Sequence, residues 1–226
     1  MTAAELGVPE TFNAATYFID RHIGEGRGSN VAIECGADRI THAELAERVN
    51  RLGSALRTRL GVRSGDRVAL LALDGPAFAY SFFGAIKIGA VPITTNTLWK
   101  AADLAFLVND SGARALIISA ELLPEFALIP RASLPALAHV VVIGGRESSD
   151  AIDFDRLLSE GAAGLNAEPT SRDAPAFWLY SSGSTGAPKG CVHLQHDMVV
   201  CAELVGKGLL GITRSEERRV GKECRL

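Results

Sequence analysis

Hydroxyl side chains, glycines and one lysine are concentrated in residues 180–190, which read YSSGSTGAPKG. Glycines allow backbone N–H groups to approach an anion closely, and hydroxyl groups donate hydrogen bonds to phosphate oxygens. A lysine adds a compact positive charge. Because the apolar residues 177–179 precede this segment as a strand would, we predict a loop that wraps around a polyphosphate rather than a glycine-rich surface turn.

The segment differs from the two common nucleotide-binding loops. In the P-loop pattern G-x-x-x-x-G-K-[ST], Pro188 would replace the second glycine, and Gly190 would stand where a hydroxyl residue belongs. The Rossmann pattern G-x-G-x-x-G is not met either. Proline has no N–H and favours an extended residue before it, so we do not expect a helix to begin at Lys189. Residues 190–194 favour a strand, which predicts a strand–loop–strand arrangement.

Composition excludes several classes of protein. Of the 226 residues, 47% are hydrophobic and 22% are charged, which is typical of a globular protein with a substantial core. The net charge of -3 gives no reason to expect a nucleic-acid partner. No apolar run reaches transmembrane length, and the first residues lack the features of a signal peptide. The four scattered cysteines favour reduced thiols, so we predict a cytoplasmic protein with no membrane partner. The sequence does not predict the oligomeric state.

Helical and strand patterns alternate along the chain, which predicts an α/β fold with mostly parallel sheets flanked by helices. Thr41 and Glu44 have the spacing of a capping box before an amphipathic helix. Lys87 is expected to face solvent from a later helix. Strands are predicted at 68–73, 89–94, 115–119, 140–143, 177–180 and 190–194, and later helices at 78–88, 101–110, 154–158 and 195–210.

The segment 180–190 resembles the phosphate-loop signature of the adenylate-forming superfamily, which includes acyl-CoA synthetases, peptide-synthetase adenylation domains and luciferases. The resemblance covers most of residues 12–213 and is clear at 45–51, 65–71 and 84–92. Together with 177–183 and 192–194, these segments look most like benzoate–CoA ligases and close aryl-CoA ligases. The resemblance implies the N-terminal portion of the large domain of an adenylate-forming enzyme.

The same resemblance implies a two-step reaction. The carboxylate of benzoate or a related aromatic acid attacks the α-phosphorus of MgATP, which releases pyrophosphate, and coenzyme A thiolate then displaces AMP. Thr185 could also contact Mg²⁺, and Asn96 and His193 could form part of a cleft wall. The residues implied as contacts of the ATP phosphates are Ser181, Ser182, Gly183, Ser184, Thr185, Gly186 and Lys189.

The later motifs of the superfamily, including its adenylation lysine, have no counterpart here, so no catalytic residue is assignable. Residues 1–213 are therefore expected to be the N-terminal part of a truncated AMP-binding domain that is inactive by itself. Residues 214–226 are charged and lack apolar periodicity. Because residues 214–224 resemble a translated DNA-sequencing adapter, we expect this tail to be non-native.

Three other interpretations remain open. The chain could be a polyphosphate-binding module without catalysis. It could also belong to another adenylate-former, such as a fatty acyl-CoA or amino-acid-activating enzyme. A zinc site at His193 and His196 is less favoured, because the rest of a ligand set is not visible.

Overall fold

Nine strands and seven α-helices make up the part of the chain that the computed structural model describes, which is residues 2–145, 148, 150–181 and 188–212. The strands are β1 (Val31–Cys35), β2 (Asp38–Thr41), β3 (Arg67–Leu71), β4 (Val91–Thr94), β5 (Ala115–Ser119), β6 (His139–Ile143), β7 (Ile152–Asp153), β8 (Pro175–Ser181) and β9 (Lys189–Leu194). The α-helices are α1 (Arg21–Gly24), α2 (His42–Thr58), α3 (Pro76–Lys87), α4 (Ala101–Ser111), α5 (Leu123–Phe126), α6 (Phe154–Glu160) and α7 (Asp197–Cys201). The proposed tail, residues 214–226, lies outside the described residues.

Strands β3 to β9 form one sheet in the order β7-β6-β5-β3-β4-β8-β9. Neighbouring strands are parallel except β8 and β9, which are antiparallel. The predicted α/β fold with a mostly parallel sheet is therefore confirmed. Strands β1 and β2 form a separate antiparallel hairpin, which the sequence patterns did not predict.

Both faces of the large sheet are covered by helices. Val68 and Leu70 of β3 point into a core that α2, α3 and α6 close, whereas Ala69 and Leu71 point into a second core beneath α4 and α5. Successive side chains of a strand point to opposite faces, so a strand that is buried on both sides has no polar alternation. This explains the continuous apolar runs in the sequence.

Helix ends follow their local chemistry. The capping box at α2 is confirmed, since Thr41 Oγ1 accepts the Glu44 N–H at 3.2 Å and Glu44 Oε2 accepts the Thr41 N–H at 2.8 Å. Helix α4 ends at Ser111, and Gly112 caps it with a φ of 59°, in the left-handed region that favours glycine. The helix predicted at 195–210 is α7 followed by a π-helical segment, Ala202–Leu209, which contains two glycines that weaken regular α-helix.

Two glycines allow α2 and α3 to cross at close range. A Cβ on Gly53 would lie 2.8 Å from the carbonyl oxygen of Gly84, and a Cβ on Gly84 would lie 3.1 Å from the Gly53 nitrogen. The helix backbones therefore pack directly against each other.

In the described ranges, no helix combines the length and the apolar character that a membrane crossing requires.

The prediction that Lys87 faces solvent is wrong. Its side chain is 2% exposed, and its ammonium donates to Asp20 Oδ1 at 2.6 Å and to Asn50 Oδ1 at 2.5 Å. Asp20 lies 67 residues earlier in the chain, so the pattern of α3 alone could not reveal it. A buried ammonium needs such partners, because removal from water is costly for an unpaired charge.

The N-terminal segment is tied by hydrogen bonds to both strands that flank the glycine- and hydroxyl-rich motif, residues 180–190. The Phe12 N–H donates to the Thr170 carbonyl at 2.8 Å, a few residues before β8. The Ala14 N–H donates to Oε1 of Gln195, the fully buried residue that follows β9, at 2.8 Å. The amide of Asn13 donates to the carbonyl of Ile86 at 2.9 Å. The beginning of β8 and the end of β9 are thus anchored to α3 through residues 12–14.

A stacked histidine pair joins α1 to α2. The rings of His22 and His42 lie 4.0 Å apart, with 12° between their planes. Burial lowers the pKa of His22 to about 4, and His42, Arg27 and Arg21 contribute to the decrease, which Glu25 partly offsets. Burial and then Arg27 lower the pKa of His42. The native state therefore holds both rings neutral at pH 7.

We expect this pair to make the free energy of unfolding depend on pH. An unfolded histidine has a pKa near 6.5, so below that pH the unfolded state binds a proton that the native state excludes, and stability falls between about pH 6.5 and pH 4. His22→Gln should flatten this decrease in urea unfolding experiments at pH 7, 6 and 5. Carboxyl groups titrate in both proteins, so the difference between the two pH slopes of the free energy of unfolding reports on His22. Equal slopes in the two proteins would contradict the expectation.

Candidate functional site

The two ends of the glycine- and hydroxyl-rich motif lie side by side. Ser181 is the last residue of β8, Lys189 is the first residue of β9, and the two are partners in the antiparallel ladder. Both are exposed. The predicted strand–loop–strand arrangement is therefore confirmed at its two strands. The other proposed phosphate contacts lie outside the described residues, namely Ser182, Gly183, Ser184, Thr185 and Gly186.

Asn96 lies at the same edge of the sheet as Ser181. In the parallel pairing of β4 with β8, Thr94, the last residue of β4, is the partner of Leu179. Asn96 follows two residues after Thr94, and Ser181, at the end of β8, follows two residues after Leu179. Asn96 is exposed, and its Oδ1 accepts the Leu98 N–H at 2.9 Å. Ligands of α/β proteins bind outside the carboxyl ends of the strands, and this edge is such a position.

His193 lies farther from the motif. It is four residues along β9 from Lys189, a separation of about 13 Å at 3.3 Å per residue. Its ring stacks on Phe177 at 4.6 Å with 8° between the planes, and its Nδ1 lies 3.5 Å from Asp197 Oδ2. His196 Nδ1 lies 2.9 Å from the Arg172 carbonyl oxygen. Within the described part of the chain, no three metal-ligating side chains come together.

The groups at this edge suit an anion. The Ser181 hydroxyl and the Lys189 ammonium are both hydrogen-bond donors, and the ammonium has no ion-pair partner among the described residues. Thr95, the residue before Asn96, has a buried hydroxyl without a hydrogen-bond partner in the described ranges. Donors of this kind match phosphate oxygens, whereas a bare Mg²⁺ needs oxygen ligands that phosphates themselves supply.

Sequence reasoning assigned no role to Tyr180 and Asp110. The Tyr180 hydroxyl donates to Asp110 Oδ2 at 2.5 Å, and the ring meets Trp99 edge to face at 6.2 Å. Burial raises the pKa of Tyr180, and the hydrogen bond to Asp110 and its charge raise it further. Tyr180 could have been noticed as the first residue of the motif, but nothing in the sequence around Asp110 signals a contact with it.

Comparison with known proteins identifies the family. Residues 20–216 match the family described as AMP-binding enzyme. Benzoate–CoA ligase of Thauera aromatica is 46% identical over 215 residues, which are 95% of this chain and 40% of that protein. The crystal structure of the anthranilate CoA ligase AuaEII in complex with anthranoyl-AMP superposes on this chain with a TM-score of 0.86 at 34% identity. The superposition covers 92% of this chain and 39% of the AuaEII chain.

A benzoate CoA ligase from Burkholderia xenovorans LB400 has a TM-score of 0.77 at 34% identity, over 89% of this chain and 38% of its own. The chain spans about 40% of the length of the curated relative from Thauera aromatica. The family match extends over most of the sequence, from α1 through the motif between β8 and β9. The chain therefore belongs to the AMP-binding enzyme family.

Proposed function

We propose that the chain is part of an ATP-dependent aryl-CoA ligase that activates benzoate or a related aromatic acid. The observation that carries this proposal is the pairing of Ser181 with Lys189, which places a hydroxyl and an ammonium at the two ends of the motif. The aromatic acids in the names of the similar proteins support the choice of substrate class. Residues 1–213 form the N-terminal part of the adenylating domain in this proposal.

The first chemical step makes use of such donors. A carboxylate oxygen of the acid forms a bond to the α-phosphorus of ATP, and the bond from that phosphorus to the departing pyrophosphate breaks. Negative charge grows on pyrophosphate as it leaves, so preorganised donors stabilise the transition state more than the ground state. In this proposal Lys189 and Ser181 supply two of these donors, and the family resemblance implies residues 182–186 as the source of the others.

The second step forms the thioester. The coenzyme A thiolate attacks the acyl carbon of the adenylate, the new C–S bond forms, and AMP leaves with the oxygen that joined it to the acyl group. Mg²⁺ enters as part of MgATP, with Thr185 as its proposed contact in this chain. No described residue is assigned to the thiol-transfer step.

The 226-residue polypeptide is proposed to bind polyphosphate without making thioester, because it spans about 40% of the length of its relative from Thauera aromatica. Rapid formation of benzoyl-CoA from benzoate, ATP and coenzyme A by the purified chain would contradict this.

Residues 214–226 remain a proposed non-native tail, and sequencing of the genomic DNA at this position tests that proposal.

The binding proposal predicts a saturable response to MgATP. The chain has two tryptophans, Trp99 and Trp178, and both pack in the core that contains Tyr180. Their fluorescence should therefore change when MgATP or tripolyphosphate binds at the neighbouring sheet edge, and isothermal titration should give the same dissociation constant. Benzoate alone serves as the control ligand and should produce no such response. Absence of binding by both methods would contradict the proposed function.

A further inference from the structure

We propose that Tyr180 is a positioning residue that sets the spacing between Ser181 and Lys189 through its hydrogen bond to Asp110. The inference rests on the proposed function, since it concerns the same polyphosphate site. It assigns a role to a residue whose own side chain points away from Ser181. Three contacts of the Tyr180 ring carry the argument.

The first contact is the hydrogen bond between β8 and α4. Successive strand residues point to opposite faces, so Tyr180 points toward α4 while Leu179 and Ser181 point to the other side. The Tyr180 hydroxyl donates to Asp110 Oδ2 at 2.5 Å, in the last turn of α4. A hydrogen bond to a carboxylate is stronger than one between neutral groups. The residue directly before Ser181 is thereby fixed to a helix of the core.

The second contact holds the side of the same ring. Trp99, two residues before α4 begins, meets Tyr180 edge to face, with ring centres 6.2 Å apart and an interplanar angle of 82°. Tyr180 is 9% exposed, so the ring has little freedom to adopt another rotamer. The segments at the two ends of α4 therefore both restrain the ring.

The third contact reaches β9. Gly190 is the ladder partner of Tyr180 and the neighbour of Lys189. A Cβ on Gly190 would lie 3.1 Å from Tyr180 Cζ and 3.3 Å from its hydroxyl oxygen, so the ring lies across the glycine backbone. One side chain therefore restrains both strands, one residue before Ser181 and one residue after Lys189.

The consequence for binding follows from the position of β9. In the described part of the chain, β9 is the outermost strand of the sheet, and β8 is its sole strand neighbour. Its register relative to the core is thus transmitted through β8, and Tyr180 anchors β8 at the end nearest the motif. Small displacements of binding groups are costly, because a misplacement of about 1 Å can reduce a rate by about 100-fold.

The test measures binding and folding of the full chain separately. Dissociation constants for tripolyphosphate and MgATP come from isothermal titration, and thermal unfolding midpoints come from circular dichroism. Tyr180→Phe should weaken binding by about 10-fold, since it removes one hydrogen bond to a charged group. Asp110→Ala should weaken it equally, and the double variant should be no weaker than either single variant. Asp110→Asn retains an acceptor and should restore most of the affinity.

Two reference variants separate the possible outcomes. Tyr17→Phe removes a hydroxyl 3.5 Å from Glu203 in the N-terminal core and should bind like the unmodified chain. Lys189→Ala tests the proposed function itself. If Lys189→Ala loses affinity while Tyr180→Phe and Asp110→Ala retain it, the positioning role is overturned and the proposed function stands. If the unmodified chain does not bind polyphosphate, both proposals fail.

A purely structural role predicts a different pattern. Tyr180→Phe would then lower the unfolding midpoint while the dissociation constant of the folded protein stays unchanged, which would also overturn the inference. If Tyr180→Phe does not fold, Asp110→Ala decides, because it leaves the aromatic ring in place. The decisive comparison is between Asp110→Asn and Asp110→Ala. A higher affinity in Asp110→Asn, at the same unfolding midpoint as Asp110→Ala, is a result that a purely structural role does not produce.

Discussion

Replacement of Lys189 by alanine is expected to weaken binding of MgATP and tripolyphosphate by about 30- to 150-fold, on the basis of about 2–3 kcal/mol for a hydrogen bond to a charged group. The residue is exposed at the start of β9, its backbone is paired with Ser181, and its ammonium has no ion-pair partner among the described residues. Its charge is therefore available to an anionic ligand such as the proposed polyphosphate. In a complete enzyme with the proposed function, loss of the same charge should also slow adenylate formation, because charge would grow on the departing pyrophosphate.

The measurement is isothermal titration at two salt concentrations. The difference between the unmodified chain and Lys189→Ala should decrease at higher salt, because an exposed charge is screened. Lys207→Ala is a matched control, since Lys207 is also an exposed lysine but pairs with Glu203 in the π-helical segment, and it should leave affinity unchanged. A Lys189→Ala variant with the affinity of the unmodified chain would remove the main support for the proposed site.

Asp20→Ala is expected to lower the free energy of unfolding by about 3 kcal/mol, because it leaves a buried charge without its counter-ion. Lys87 is 2% exposed, and after the change its ammonium would keep only the neutral Asn50 oxygen as a described partner. The lysine joins α3 to α2 and to the π-helical turn Thr16–Asp20, so the change should loosen the contact among the three. Urea unfolding at pH 7 measures the effect.

Lys87→Met is the matched variant for this ion pair. It fills the same buried space with an apolar side chain, and it leaves Asp20, whose side chain is 34% exposed, in contact with water. Replacement of a buried charge by a well-packed apolar group is often neutral or stabilising. We therefore expect Lys87→Met to cost clearly less than Asp20→Ala. The opposite order would show that the packing of the lysine stem, rather than the charge, governs stability here.

Much of the secondary structure could be predicted because its signals are local. The capping box of Thr41 and Glu44 lies within four residues, and β5 spans the apolar run predicted at 115–119. Local patterns also predict the strand before the motif and the strand after Pro188, and both are present, whereas their antiparallel pairing is a finding of the structure. Such features depend on backbone preferences that a short stretch of residues expresses by itself.

Other features depend on residues that are distant in the sequence. The contact of Lys87 with Asp20 spans 67 residues, and the contact of Tyr180 with Asp110 spans 70. The β1–β2 hairpin was missed because its residues are mostly half-exposed or exposed and so lack a clear apolar alternation. The binding roles of Asn96, residues 181–186, Lys189 and His193 all remain predictions from the sequence.

The antiparallel ribbon of β8 and β9 also bears on the order of folding. Its strands meet across residues 181 and 189, eight apart, whereas β8 joins β4 only when residue 178 reaches residue 93, which is 178 − 93 = 85 positions away. Closing the longer loop costs roughly 2 kcal/mol more chain entropy. The two ends of the motif can therefore meet early as a local ribbon, and they acquire their place beside Asn96 when the long-range pairing forms.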